Sequence, residues 1–283
     1  MSAPPITIPG TEVHTLHSDI VGDDYEIYVV PPPPIFATGP VPVVYVTDGN
    51  LLIPSAAGAV RLLIPTGDIP PVMLVGVGYP VDGDVIAMQR AGTRDLVPIH
   101  SEWVAADAFS KFGIEDLEMG GSARYLEFIT QELHPWLKER YAVTDDKTIA
   151  GSSRGGWFGA WTLFHHPDAF TRYIIGSPPG REGESPEPWE ADYAAAHSDL
   201  DATVFLAAGG AEHIPGPYAS EQWAATFKEA DFAAGAKRLG DRLASRKYPS
   251  LRLRTEIFPG ETHFSLMTGP LFPRGLRYVF AEA

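Results

Sequence analysis

The chain has 283 residues, of which 45% are apolar and 20% charged, so it can bury a large core and fold as a globular protein. Its formal net charge of −15 disfavours a nucleic-acid partner, because a phosphate backbone repels an acidic surface. The absence of cysteine excludes disulfides, thiol catalysis, zinc–thiolate sites and iron–sulfur clusters.

Neither a targeting segment nor a membrane segment is recognisable. The amino terminus lacks the basic start and apolar run of a secretory signal, and no stretch approaches the roughly 20 apolar residues of a membrane span. We therefore expect a cytoplasmic protein that acts on a small molecule, with no nucleic acid and no membrane as partner. Whether it forms a homodimer is left open.

The first predicted elements are an antiparallel hairpin and two buried strands. TEVHTLHS and YEIYVV flank the turn-like VGDD and predict the hairpin. VPVVYV (Val41–Val46) and VMLVGVG (72–78) are short, β-branched and apolar on both faces. That pattern is typical of parallel strands that helices cover on both sides.

Strands and helices then alternate to the end of the chain. A helix is predicted over 124–141, with Ser122 as its cap, and a long polar helix over 218–247. The segments KTIAG, RYIIGS, TVFLAAG and LRLRTEIF predict further strands. The series predicts a single α/β domain over 1–283, with a doubly wound, mostly parallel sheet.

Two long segments, 80–119 and 178–201, follow strand ends and are rich in Gly, Pro and aromatic residues. Ligands of open α/β sheets bind beyond the carboxyl ends of the strands, so we interpret both segments as lid-like insertions around a site. Their side chains supply the candidates for the substrate pocket, which are Trp103, Phe109, Trp189 and Arg94. For Arg94, an ion pair with the adjacent Asp95 is the better explanation.

The segment TIAGSSRGGWFGAW contains a G-x-S-x-G pattern between a predicted strand and a predicted helix. In a nucleophile elbow, glycines lie two residues before and after the nucleophile, because the sharp turn leaves no room for a Cβ atom there. Ser152 has Ala150 and Arg154 at those positions, whereas Ser153 has two glycines. The pattern therefore predicts Ser153 as the nucleophile.

A serine nucleophile needs a histidine base, which follows it in the chain in this fold class. His263 lies in FPGETHFS, directly after the last strong strand and hence at a strand's carboxyl end. It is the best candidate, and His197 and His213 are alternatives.

The carboxylate that orients the base is expected after the strand TVFLAA. The next carboxylate along the chain is Glu212, in AGGAEH, where two glycines let the chain turn back across the sheet end. Asp201, Asp192 and Glu261 are the alternatives for this role.

Backbone N–H groups are expected to bind the oxyanion of the transition state. One donor is the N–H of Arg154, directly after the nucleophile. The other is expected in TDGNLL, after the strand VPVVYV, from Asn50 or Leu51. We expect Asp48 to tether this loop, since a carboxylate beside the oxyanion would oppose it.

These segments resemble the putative-esterase branch of the α/β-hydrolase superfamily, which includes siderophore (enterochelin-type) esterases. The resemblance covers most of the chain and is carried by VVYVTDGN, RDLVP, the elbow region KTIAGSSRGGWFGAW and the terminal segment around FPGETHFS. It implies an α/β-hydrolase fold, Ser153 as nucleophile and His263 as base. The acid corresponds less clearly, because the family usually has a simpler G-x-x-E where this chain has GGAEH.

The combined prediction is a serine carboxylic-ester hydrolase that acts through an acyl-enzyme on a small or aryl ester, without a cofactor or metal. The alternatives are a siderophore trilactone esterase and a non-catalytic binding protein, and acyl transfer to an alcohol stays open. Arg154 replaces a residue that is often apolar or aromatic in the family. It is expected to pair with a lid carboxylate or, less favoured, to contact an anionic part of the substrate.

Overall fold

The computed structural model describes residues 8–105, 114, 117–214, 216–218 and 220–281 of the chain. Eight strands form one sheet in the order β1-β2-β4-β3-β5-β6-β7-β8. The strands are β1 (Glu12–Ser18), β2 (Asp23–Val30), β3 (Val41–Val46), β4 (Met73–Gly78), β5 (Val143–Ser152), β6 (Arg172–Gly176), β7 (Thr203–Gly209) and β8 (Arg252–Phe258).

The α-helices in the described residues connect these strands and cover the two faces of the sheet. They are α1 (Gly49–Thr66), α2 (Val85–Leu96), α3 (Ser122–Glu127), α4 (His134–Arg140), α5 (Arg154–His165), α6 (Glu187–Ala196), α7 (Glu221–Ala230), α8 (Phe232–Arg246), α9 (His263–Thr268) and α10 (Leu271–Val279). A π-helical segment, Phe128–Leu133, joins α3 to α4. None of the helices in the described ranges is long and apolar enough to cross a membrane.

The strand pairing confirms the predicted sheet. β1 pairs antiparallel with β2, and β2 pairs antiparallel with β4. From β4 to β8 every neighbouring pair is parallel. The result is a mostly parallel α/β-hydrolase-type sheet with an antiparallel hairpin at its amino-terminal edge.

Two apolar layers enclose the sheet, as the two-sided strand pattern requires. Along β3, Val43 and Tyr45 face the layer that holds α3, α4, α5 and α8. Val44 and Val46 face the opposite layer, which holds α1, α9 and α10. Successive side chains of a strand point to opposite faces, so an apolar strand contributes to both layers.

Several predicted boundaries were wrong for local reasons. Ser122 is the first residue of α3 and not its cap, and its Oγ donates to the carbonyl oxygen of Asp95. The long helix predicted over 218–247 is two helices, because Asp231 adopts a left-handed conformation with φ 51°. The two predicted insertions, 80–119 and 178–201, each contain a helix, α2 and α6.

Candidate active site

Ser153 lies in a sharp turn between β5 and α5, as the elbow pattern predicts. Its backbone has φ 58° and ψ −120°, a region that costs a residue other than glycine about 1–3 kcal/mol. Two hydrogen bonds hold the turn: Ser153 N–H donates to Gly176 O at 2.9 Å, and Trp157 N–H donates to Ser153 O at 2.8 Å.

The two glycines of the pattern are required by space. A Cβ atom on Gly155 would lie 2.1 Å from Thr47 Oγ1, and one on Gly151 would lie 2.7 Å from the carbonyl carbon of Gly155. Real Cβ atoms do not approach other atoms so closely. The turn therefore tolerates no side chain at either position, which is why only the frame centred on Ser153 satisfies the motif.

His263 is hydrogen-bonded to the predicted acid. Its Nδ1 lies 2.7 Å from Oε2 of Glu212, and both side chains are buried. His263 is the first residue of α9, and Thr262 and Ser265 cap this helix reciprocally. The ring stacks on Phe232, with 4.4 Å between the centroids. The cap and the stacking together fix the orientation of the imidazole.

Glu212 is held from both of its oxygens. Oε1 accepts from Ser177 Oγ at 2.6 Å and from the N–H of Gly209 at 2.5 Å, while Oε2 faces His263. Gly209 allows this close approach, because a Cβ atom there would lie 2.3 Å from Glu261 O and 3.0 Å from Cγ of Glu212.

The alternative acids and bases have other surroundings. Asp201 precedes β7 and is exposed, and Asp192 lies on α6. Glu261 accepts a hydrogen bond from Ser265 Oγ. His197 stacks on Tyr193 and His213 is exposed.

The oxyanion donors are expected at the starts of α5 and α1, where the first N–H groups have no acceptor one turn earlier. The N–H of Leu51 already donates to Asp48 O at 2.8 Å. The side chain of Asn50 makes two hydrogen bonds to the backbone of Tyr79. It accepts one from the N–H at 2.7 Å and donates one to the carbonyl oxygen at 2.9 Å. Of the three predicted donors, Arg154 and Leu51 line the pocket and Asn50 does not.

A pocket with a cavity volume of about 160 Å³ contains Ser153 and His263. Its polar lining is Asp48, Gln89, Ser152, Ser153, Arg154, Thr226 and His263. The rest of the lining is apolar, apart from the indole N–H groups of its tryptophans, and comprises Leu51, Leu52, Val97, Trp103, Val104, Trp157, Pro179, Trp223, Phe227, Phe232, Phe264 and Met267.

The predicted pocket residues have different positions. Trp103 lines the pocket, as expected. Arg94 and Trp189 do not: Arg94 donates to Asp95 at 2.7 Å, and Trp189 stacks on the side of Trp157 with 6.4 Å between the centroids. Arg94 is therefore part of a structural ion pair. Trp189 packs behind Trp157, which lines the pocket, and does not line the pocket itself. Phe109 lies outside the described residues.

The aromatic wall formed by α7 and α8 was not predicted. Trp223 and Phe227 on α7 stack with 5.1 Å between their centroids, and Phe232 lies at the start of α8. The four-residue spacing of Trp223 and Phe227 places them on one helix face, which is the signal that could have identified them. The prediction of one long polar helix obscured it.

Arg154 pairs with a carboxylate of the oxyanion segment and not of a lid. Its Nη2 lies 2.6 Å from Oδ1 of Asp48. Arg154 carries one predicted oxyanion donor on its own backbone, and Asp48 begins the segment from which the other is expected, so the ion pair joins the two chain segments of the site. Asp48 tethers its loop in this way, as the sequence predicts.

The chain is similar to proteins that are named as esterases. A family model described as putative esterase matches residues 18–251. Ferri-bacillibactin esterase BesA of Bacillus subtilis is 29% identical, over 96% of this chain and 90% of its own. The siderophore triacetylfusarinine C esterase of Aspergillus fumigatus is 28% identical, over 62% of this chain and 57% of its own. Among solved structures, siderophore hydrolase EstA of Aspergillus nidulans aligns with a TM-score of 0.80 at 19% identity, over 98% of this chain and 97% of its own.

Proposed function

The chain belongs to the putative esterase family, and on this premise we propose that Ser153 is its nucleophile, His263 its general base and Glu212 the acid that orients the base. The observation that carries the proposal is the 2.7 Å hydrogen bond between His263 Nδ1 and Glu212, in a pocket that His263 shares with Ser153. Because Nδ1 is bound to the carboxylate, Nε2 is the nitrogen available to the serine hydroxyl.

The reaction then proceeds in two halves. Ser153 Oγ attacks the ester carbonyl as His263 Nε2 takes its proton, and the imidazolium returns this proton to the leaving alcohol. In the second half, His263 takes a proton from water, the water attacks the acyl-enzyme, and the carboxylic acid is released as Ser153 regains its proton. In each half, the N–H of Arg154 and an N–H from the start of α1 hold the oxyanion.

The pocket supports a small or aryl acyl group as substrate. A cavity of about 150 Å³ lined by apolar side chains is large enough for benzene, and this cavity of about 160 Å³ is similar in size. Asp48 and Arg154 are the two formally charged side chains of its described lining, and they neutralise each other. The net charge of −15 adds a field that repels anions. An uncharged ester is therefore favoured.

A siderophore ester is the second candidate, and the relatives favour it. BesA and the Aspergillus fumigatus protein are both named as siderophore esterases. The neutral lining favours a siderophore whose iron complex carries little net charge over one that is strongly anionic. On this second candidate, the acyl pocket receives one arm of the siderophore and the rest lies outside it.

The test is hydrolysis of a chain-length series of p-nitrophenyl esters, including the benzoate, beside Ser153→Ala. We expect turnover of short or aryl esters that the variant loses, and labelling of Ser153 by a fluorophosphonate in the wild-type protein. Iron-loaded triacetylfusarinine C and ferri-bacillibactin are assayed in parallel by mass spectrometry, and a much higher kcat/KM on either supports the second candidate. No labelling and no turnover would indicate a binding protein and overturn the proposal.

A further inference from the structure

The guanidinium of Arg154 takes no part in the proton transfers, yet it is buried between three chain segments. The Arg154 side chain is 11% exposed and that of Asp48 is 8% exposed. Nε and Nη2 donate to Asp48 Oδ1 at 3.0 and 2.6 Å. Nη1 donates to Oε1 of Gln89 at 2.7 Å and to its carbonyl oxygen at 3.1 Å. Each of the three nitrogens thus has an acceptor within the protein, and the two bonds to Asp48 are charge-assisted.

Asp48 needs the support that Arg154 gives. It precedes α1 with φ 51° and ψ 44°, a left-handed conformation that residues other than glycine adopt rarely. Aspartate is a favourable helix cap, but the side chain of Asp48 makes no hydrogen bond to the first turn of α1. Its carboxylate faces the guanidinium instead. The side chain thus fixes the loop to the elbow and does not cap its own helix.

The neighbouring helix leaves space for this arrangement. A Cβ atom on Gly92 of α2 would lie 2.4 Å from both Cζ and Nη2 of Arg154. Gly92 has no left-handed backbone that would require glycine, so the guanidinium explains why a side chain is absent there. Together with Gln89, this contact also fixes α2 against the pocket.

We propose that Arg154 is a positioning residue that couples the two halves of the oxyanion hole. Its backbone N–H is one donor, and its guanidinium fixes, through Asp48, the segment that supplies the other. The inference rests on the proposed role of Ser153. Donors aimed at the oxyanion act on the transition state more than on the bound ester, so losing their alignment lowers kcat and leaves KM nearly unchanged.

The experiment compares Arg154→Met, Arg154→Lys and the double variant Asp48→Asn/Arg154→Met with the wild-type protein. For each protein, kcat and KM are measured on a p-nitrophenyl ester, and the melting temperature is recorded. The Ki of phenylboronic acid is also measured, because this inhibitor forms a tetrahedral adduct with the serine. We expect Arg154→Met to lower kcat about 10- to 100-fold, with KM within about threefold of the wild-type value. The Ki of phenylboronic acid is expected to rise by a factor similar to the loss in kcat. Lysine keeps the charge but not the forked geometry, so the kcat of Arg154→Lys lies between those of Arg154→Met and the wild-type protein.

The double variant separates positioning from stability. Arg154→Met alone leaves the Asp48 carboxylate buried and unpaired, which lowers the melting temperature. The double variant removes both charges, so we expect it to regain most of this loss. Its kcat stays low, because the loop is no longer held. Gly92→Ala tests the same contact with Arg154 retained: the methyl group displaces the guanidinium and lowers kcat. Gly58→Ala in α1, where a Cβ atom meets nothing within 4 Å, is the matched control and leaves kcat unchanged.

Two results would overturn the inference: a folded Arg154→Met with wild-type kcat and wild-type Ki, or a double variant whose kcat recovers with its melting temperature. If Arg154→Met does not fold, Arg154→Lys and Gly92→Ala decide the matter in the same way. Failure of the proposed function is distinguishable, because wild-type protein would then not be labelled by a fluorophosphonate at Ser153. Labelled wild-type protein with unaffected Arg154 variants would refute the positioning role alone.

Discussion

Two buried glutamates of this protein have very different partners. Glu190 on α6 is fully buried and accepts hydrogen bonds from Arg242 and Arg246 of α8, the closest at 2.7 Å. Glu212 is 4% exposed and accepts from a serine hydroxyl and a backbone N–H, with His263 on its other oxygen. Permanent cations thus surround the first carboxylate, and neutral or titratable groups surround the second.

The difference indicates how one residue type serves two purposes. The charge of Glu190 is matched in every state of the folded protein, so its interactions contribute to stability throughout. The charge of Glu212 is matched fully only when His263 takes a proton from Ser153 in the proposed mechanism. Its interaction with the imidazole is therefore strongest in the transition state, which is where an interaction accelerates a reaction.

Replacing Glu212 with glutamine tests this comparison with the largest expected effect. Glu212→Gln retains the shape but loses the charge, and its amide can donate to Nδ1 and so favour the wrong tautomer of His263. We expect kcat to fall by about 10³- to 10⁴-fold, with KM changed little. The measurement is steady-state hydrolysis of a p-nitrophenyl ester, with concentrations taken from the folded fraction.

Glu190→Gln is the matched control, because it makes the same substitution at another buried glutamate. Its kcat is expected to equal that of the wild-type protein. A Glu212→Gln protein with kcat within threefold of wild type would remove Glu212 from the mechanism. The alternatives Asp201, Asp192 and Glu261 would then be substituted in turn.

The second prediction is that Glu190→Gln loses stability without losing activity. Hydrogen bonds to charged groups contribute about 1.5–3 kcal/mol, and the two arginines stay hydrated, being 40% and 36% exposed. We expect the free energy of unfolding to fall by about 2 kcal/mol, measured by urea denaturation. A loss below about 0.5 kcal/mol, the usual range for surface substitutions, would mean that solvent replaces the arginines and that the contrast with Glu212 is not one of charge matching.

The fold and the centre of the site follow from local patterns. The hairpin, each of the buried strands and the elbow each occupy one short segment, and the residues of that segment show what the element requires physically. Parallel strands end at one edge of the sheet, so residues after different strands converge there. The elbow spacing predicted Ser153, and the strand-end rule favoured His263 and Glu212 over their alternatives. The structure brings His263 and Glu212 into direct contact and places His263 in one pocket with Ser153.

The walls of the pocket could not be derived in the same way. Trp223 and Phe227 line the pocket from α7, a helix that ends at Asp231, a left-handed residue whose conformation no sequence pattern marks. Trp189 lies in a segment near the site, but it stacks behind Trp157 and does not line the pocket. Arg94 pairs with Asp95, which was the favoured explanation for it. The partner of Arg154 was misassigned, since Asp48 is 106 residues away in the chain.

The third prediction uses pH to sharpen the contrast between the glutamates. Burial alone would raise the pKa of Glu190, but the hydrogen bonds from Arg246 and Arg242 lower it more, so the pKa lies below its ordinary value of 4.5. A carboxylate with a lowered pKa in the folded state stabilises the protein fully above pH 4.5, and this contribution is lost as the pH falls through the folded pKa.

The difference in unfolding free energy between wild type and Glu190→Gln should therefore be constant from pH 6 to 8 and shrink in acid. Urea denaturation of both proteins from pH 8 down to below pH 4.5 measures it. A difference that grows as the pH falls would contradict the lowered pKa.

The smallest expected effect is at Ser177, the neutral donor that distinguishes the surroundings of Glu212 from those of Glu190. Its Oγ donates to Glu212 Oε1 at 2.6 Å, so Ser177→Ala leaves the backbone N–H of Gly209 as the remaining donor to that oxygen. We expect kcat to fall about 5- to 10-fold, corresponding to about 1 kcal/mol, the usual contribution of one hydrogen bond. Ser122→Ala is the control, because Ser122 is also a buried serine and donates to Asp95 O, outside the pocket. If both variants lose stability equally and neither loses kcat, Ser177 supports packing only, and Glu212 is positioned by its backbone contact and by His263.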